Sequence, residues 1–226
     1  MSRARTLLRT AVGLKFVVAV TGLVLFGWVA MHMLGNLKTF LGPEAIDSYA
    51  KGLRTLGEPF VPAGFALWAV RLLLLGCVVL HVGAAAKLAA RNRAARPIPY
   101  ARYVPTESTF SARFMLVSGS VLLVYVVLHV LHLTTGTILP KSFEEGHVYG
   151  NLSRSFQKVA VAVFYVGAVA VLALHLYHGV WSLFQTLGLD NPDRNPKLRA
   201  FAAGSAIALF LGFAAVPLAF LVGALR

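Results

Sequence analysis

Six of the seven histidines lie inside apolar runs: His32, His81, His129, His132, His175 and His178. An imidazole is costly in hydrocarbon, so each needs a partner there: a metal, a proton path or another polar group. In Leu174-His175-Leu176-Tyr177-His178-Gly179-Val180-Trp181 two of them stand three residues apart, on one face of a helix. His129 and His132 repeat that spacing. The seventh, His147, falls in a polar loop and reads as solvated.

The chain around them is 58% hydrophobic with mean hydropathy +0.75 and a formal charge of +13. A chain this apolar must be solvated by lipid or by partner subunits, and the same apolar content argues against nucleic acid as the target of the basic excess. Lys and Arg gathered in alternate loops set membrane orientation instead. The single cysteine, Cys77, excludes an intrachain disulfide, a Cys-ligated iron–sulfur cluster and covalent c-type haem attachment; it reads as core packing. No phosphate-binding glycine loop, strand-borne glycine fingerprint or nucleophile elbow is present, so nucleotide chemistry is not expected on this chain.

The elements that must position the imidazoles follow from hydropathy: five spans, about 15–37, 63–88, 113–139, 156–187 and 198–225. The expectation is an all-α membrane protein, a single domain over 1–226 with spans I–IV bundled around the histidines and span V, which has none, at the periphery. The first span is too long for the apolar core of a signal peptide. Between Gly42-Pro43 and Glu58-Pro59 the pattern predicts a short surface helix, and residues 140–155 read as a loop. Most arginines fall at the N-terminus and after spans II and IV, so the N-terminus is expected in the cytoplasm and the C-terminus outside.

Counting from the start of each span, Lys15 to His32, Ala63 to His81, Arg113 to His129 and Lys158 to His175 are separations of 16 to 18 residues. Each histidine therefore lies ~25 Å along its helix, toward the far end. Spans I and III run outward and II and IV inward. His32 and His129 then share an outer depth, and His81 and His175 an inner one. Two imidazoles from two helices at one level can clamp a haem iron on both axial sides, and two such levels make a transmembrane two-haem wire. Either member of each doublet can reach an iron, the other being left for a haem propionate, a quinone oxygen or water. Gly22, Gly27, Gly119, Gly167 and Gly179 are places where a macrocycle, or simply a neighbouring helix, could approach a backbone. Arg71, the one arginine well inside a span, calls for a carboxylate: an outer propionate first, a bound quinone or Glu58 second. Lys87 and Arg113 near the inner face, and Arg154 and Lys158 near the outer, either pair with propionates or snorkel to headgroups.

Thr21-Gly22 followed by His32-Met33-Leu34-Gly35-Asn36-Leu37, Gly119 with His129 ten residues on, and His175-Leu176-Tyr177-His178-Gly179-Val180-Trp181-Ser182 resemble the cytochrome b membrane anchor of succinate:quinone oxidoreductases. The resemblance is to the five-helix, two-haem type found in succinate:menaquinone reductases and fumarate reductases, and it extends over essentially the whole chain. It implies haem b ligands at His81 and His175 for the inner, higher-potential haem and at His32 and His129 for the outer. That leaves His132 and His178 to propionate or quinone contacts. It also implies a flavoprotein that oxidises succinate, an iron–sulfur protein on the cytoplasmic face, menaquinone near the outer face and a bacterial cytoplasmic membrane; a higher oligomer of the complex is open. Some members carry a transmembrane glutamate two residues before the span IV histidine; here that position is Ala173, so a compensating proton path there is not expected. Glu58 is then the candidate for quinone proton exchange, weighed against an ordinary surface carboxylate. Two other readings stand beside this one. One is the di-haem cytochrome of a hydrogenase or formate dehydrogenase; the other, more remote, is a proton-coupled transporter with a histidine relay, which inverted repeats and paired carboxylates would favour.

Overall fold

Lipid offers no hydrogen bonds to a backbone, so apolar runs of this length close their peptide groups within helices. The computed structural model describes residues 10–95, 110–138 and 143–226, with the backbone alone for 110–113. The side chain of Arg113 and the basic loop around Pro97, Pro99 and Pro105 lie outside the described residues. Among those described there are seven α-helices and no strand: α1 Ala11–Leu37, α2 Pro43–Arg54, α3 Phe65–Ala94, α4 Phe110–His129, α5 Val148–Phe156, α6 Val159–Thr186 and α7 Asn195–Leu221. Five are long and apolar enough to cross a membrane, α1, α3, α4, α6 and α7, and the chain is a multi-pass all-α membrane protein.

Local chemistry sets the limits of these helices. α1 opens on Thr10, whose hydroxyl accepts the Gly13 N–H at 3.0 Å and satisfies one of the orphan donors of the first turn. α3 continues past the expected 88 to Ala94. α4 stops being α-helical at His129 and passes into a π-helical turn, Val130–Thr134, short of the expected 139. α6 begins at Val159 rather than 156, because Lys158 adopts extended backbone and Phe156 belongs to α5. The α2 helix is the one anticipated between Gly42-Pro43 and Glu58-Pro59. The α5 helix corrects the reading of 140–155 as loop. It is amphipathic, buries Tyr149, Leu152 and Phe156, and has a borrowed cap: Asp47 of α2 accepts the Tyr149 N–H at 3.0 Å.

α2 and α5 lie across the face where the C-terminus emerges. Ile46, Tyr149, Leu152 and Phe156 meet Tyr165 of α6 and Val216 and Phe220 of α7 in the main hydrophobic core. The second tight contact runs along α6 and α7, where Ala162, Ala168, Ala202, Ala206 and Ala214 are buried. Small side chains let two backbones approach, which is how helices gain contact in lipid. α7, expected at the periphery, packs on α1 as well as α6, receives Met33 beside Gly212 and sends Phe213 to within 5.9 Å of the His32 ring.

The four histidine-bearing helices form a ring. α1 packs along α3 and α6, α4 packs along α6, and α3 touches α4 only briefly. Among the described residues the two diagonals, α1 with α4 and α3 with α6, make no extended packing contact.

Candidate functional site

The histidine pairs bridge those diagonals. His81 of α3 and His175 of α6 have ring centres 6.5 Å apart, and His32 of α1 and His129 of α4 have ring centres 5.9 Å apart. These are the two pairs that depth counting groups.

At the first pair, each ring is tied to a hydroxyl on the preceding long helix. Thr21 Oγ1 lies 3.1 Å from His81 Nδ1, and Ser118 Oγ lies 3.1 Å from His175 Nδ1. Thr21 spends its proton on the Val17 carbonyl at 2.7 Å, and Ser118 on the Met115 carbonyl at 3.0 Å. Both hydroxyls therefore act as acceptors, so the network assigns an Nδ1–H to each imidazole and leaves Nε2 with a free lone pair. Thr21 is 6% and Ser118 1% exposed, which removes water as a competing partner. The neighbouring glycines make room for the rings: a Cβ on Gly22 would meet His81 Cε1 at 3.2 Å, and one on Gly119 would meet His175 Cε1 at 3.5 Å. Gly27, Gly167 and Gly179 have no protein atom in that range.

The second pair is aromatic and has no such hydroxyls. Trp28 stacks on His32 at 5.9 Å, one turn earlier on the same helix, and Tyr125 stands in the same relation to His129 at 5.8 Å. His129 Nδ1 is buried without a hydrogen-bond partner.

α1 and α4 thus carry the same pattern, Thr21-Gly22-x5-Trp28-x3-His32 and Ser118-Gly119-x5-Tyr125-x3-His129. Each supplies a hydroxyl and a glycine to one pair and an aromatic and a histidine to the other. This repeat was legible in the sequence; the roles of Thr21 and Ser118 needed the contacts. Eleven residues separate hydroxyl from histidine in both helices, so the two levels are ~16 Å apart along the axis.

The doublets separate. His132, 3% exposed, accepts the Tyr165 O–H at Nδ1 (2.8 Å) and donates from Nε2 to Ser155 Oγ (3.0 Å), while Ser155 donates to the Asn151 carbonyl (2.7 Å). Both of its nitrogens are committed inside the protein, which corrects its assignment to a propionate or quinone. The cause is the π turn: a wider turn after His129 changes the angular phase and delivers His132 to α5 and α6. Tyr165, Ser155 and Phe213 were not anticipated. His178 is half-buried one turn beyond His175.

The expected polar contacts fare unevenly. Arg71 meets no protein carboxylate among the described residues; its guanidinium lies over the Trp68 ring at 4.9 Å, so the pairing with Glu58 is not made. Glu58 is exposed on the loop before α3, and Lys87 is exposed on α3 beyond His81. Arg154 turns to Glu144 (3.4 Å) and Asn151 (2.9 Å) rather than inward.

The donor set can be tested for fit to a haem. An imidazole–metal–imidazole sandwich needs ring centres about 6.2 Å apart, from two metal–nitrogen bonds of ~2.0 Å and two nitrogen-to-centre distances of ~1.1 Å. The observed 6.5 and 5.9 Å bracket that value. No group of three or more His, Cys, Asp or Glu side chains suited to a bare metal ion occurs among the described residues. A pair of imidazoles on an open diagonal suits a metal whose other ligands come with it, as a porphyrin provides.

No family model matches the chain, and neither a curated protein nor a solved structure matches it.

Proposed function

We propose that the chain is the membrane anchor and electron-transfer subunit of a succinate:quinone oxidoreductase, working toward succinate oxidation or fumarate reduction. The observation that carries the reading is the pair of imidazole bridges at two depths, each spanning a diagonal that the helices leave unpacked. Haem b, when bound at each level, supplies a one-electron carrier. His81 and His175 would hold the inner one and His32 and His129 the outer. The hydroxyls of Thr21 and Ser118 orient the inner rings and fix their tautomer. Trp28, Tyr125 and Phe213 surround the outer rings with aromatic surface and keep water from them.

In this reading the face where α3 and α6 end is cytoplasmic, because Arg91, Arg93, Lys197 and Arg199 gather there. That basic face receives the iron–sulfur subunit, with the flavoprotein beyond it, in a bacterial cytoplasmic membrane. Menaquinone reacts toward the opposite face. There the solvent-open carboxylate of Glu58 can exchange protons, and the Arg71–Trp68 stack offers a cation at the start of α3.

The test is spectroscopic. Purified protein should give a reduced-minus-oxidised b-type haem spectrum titrating with two midpoints. His81→Ala and His175→Ala should remove one midpoint, and His32→Ala and His129→Ala the other. Flavoprotein and iron–sulfur subunits should co-purify and reduce the haem with succinate. Absence of b-type haem would sink the proposal; haem without succinate-dependent reduction would move it to another quinone-linked dehydrogenase.

A further inference from the structure

Thr21 and Ser118 do more than fill space. Both are buried polar groups on helices that otherwise face lipid or their neighbours, and both sit beside a glycine whose missing side chain admits the imidazole. Both spend their own proton on a carbonyl within their helix, so each presents an oxygen lone pair to a ring nitrogen on a different helix. The matched arrangement on α1 and α4 applies only to the inner pair. At the outer pair no hydrogen bond from the described residues reaches His129 Nδ1, although that atom is buried.

We infer that Thr21 and Ser118 are positioning residues that tune the reduction potential of the inner site and not that of the outer one. A ligating imidazole whose remote N–H is engaged by an acceptor is a more basic ligand, and a more basic ligand favours the higher oxidation state of the metal. The hydroxyls therefore hold the inner midpoint down. The basic residues beyond it, including Lys87, Arg91 and Arg93, favour the reduced state and push it up. The inner midpoint is the balance of the two, and the hydroxyls are the part that the fold supplies at contact distance. This inference rests on the haem reading above.

Thr21→Val combined with Ser118→Ala removes both acceptors at nearly constant volume. The ferric-over-ferrous preference of the inner site should fall about tenfold, an upward shift of about 59 mV for a one-electron couple, with the outer midpoint unmoved. The low-spin ferric resonance of the inner site should change as its rings lose their orientation, while the outer resonance stays. Thr21→Ser and Ser118→Thr keep a hydroxyl and should return both observables to wild type. Each single replacement should give part of the shift, which carries the test if the double variant does not accumulate. Ser120→Ala, an exposed hydroxyl bonded to its own helix at 2.9 Å, is the control. An inner midpoint that stays put or falls in the hydroxyl-free variants, with both haems present, overturns the inference alone. Wild-type protein without b-type haem overturns the haem reading and this inference with it.

Discussion

The His132–Tyr165 pair gives the sharpest check on which member of the doublet serves the outer site. Consider His132→Leu, Tyr165→Phe and the double variant. His132 is 3% exposed and makes two hydrogen bonds, at 2.8 Å from Tyr165 and 3.0 Å to Ser155. Replacing it with leucine keeps the volume filled but leaves the Tyr165 hydroxyl buried without an acceptor, at a cost of about 1–3 kcal/mol. Ser155 still donates to the Asn151 carbonyl at 2.7 Å, so that side loses one net bond, about 1 kcal/mol. The sum is a destabilisation of about 2–4 kcal/mol. Tyr165→Phe strands the other end, His132 Nδ1, for about 1–3 kcal/mol. Because each single change strands the partner of the same bond, the double variant should cost less than their sum, by a coupling of about 1 kcal/mol or more. Denaturant unfolding in detergent micelles, followed by circular dichroism, measures the cycle, and the haem spectrum of the same samples counts the sites. If the proposed haems are bound, both midpoints should persist in all three variants. If His132→Leu removed the outer midpoint while His129→Ala kept it, the assignment of the doublet would be reversed. Additivity within about 0.3 kcal/mol would show that the bond has no part in stability.

The two glycines beside the inner rings should differ in tolerance. Gly22→Ala brings a Cβ to 3.2 Å of His81 Cε1 and should shift the inner spectrum, whereas Gly119→Ala, at 3.5 Å from His175, makes ordinary contact and should shift it less. Equal effects would refute the packing argument. Asp47→Ala removes the cap that α2 lends to α5 and should cost about 1 kcal/mol of unfolding free energy, while Asp47→Asn, which keeps an acceptor, should cost less. The proposed orientation predicts that Arg226→Cys, with Cys77→Ala removing the one native thiol, is labelled by a membrane-impermeant maleimide in intact cells. Labelling only after lysis would invert the topology.

Hydropathy and residue counting carried the architecture, because lipid imposes a simple rule on the chain. A span must be about 20 apolar residues long and must close its hydrogen bonds within itself, whatever packs beside it. Rise per residue then converts sequence position into depth, so the levels of His32 with His129 and His81 with His175 could be read before any contact was known. Angular position could not. A helical phase is lost wherever the winding changes, and the π turn after His129 sends His132 to Tyr165 and Ser155 instead of toward the bundle centre. Nor does composition say which of two apolar helices is a neighbour: α7 looked like a bystander, yet it reaches His32 through Phe213. Polar partners depended on the same distances, as when Arg71 found Trp68 rather than Glu58, and when Thr21 and Ser118 met imidazoles 60 and 57 residues away in the chain. The sequence by itself determined which helices are long and apolar enough to cross a membrane and how far along its helix each histidine stands. Only tertiary packing decided which nitrogen is held, which is left free, and by what.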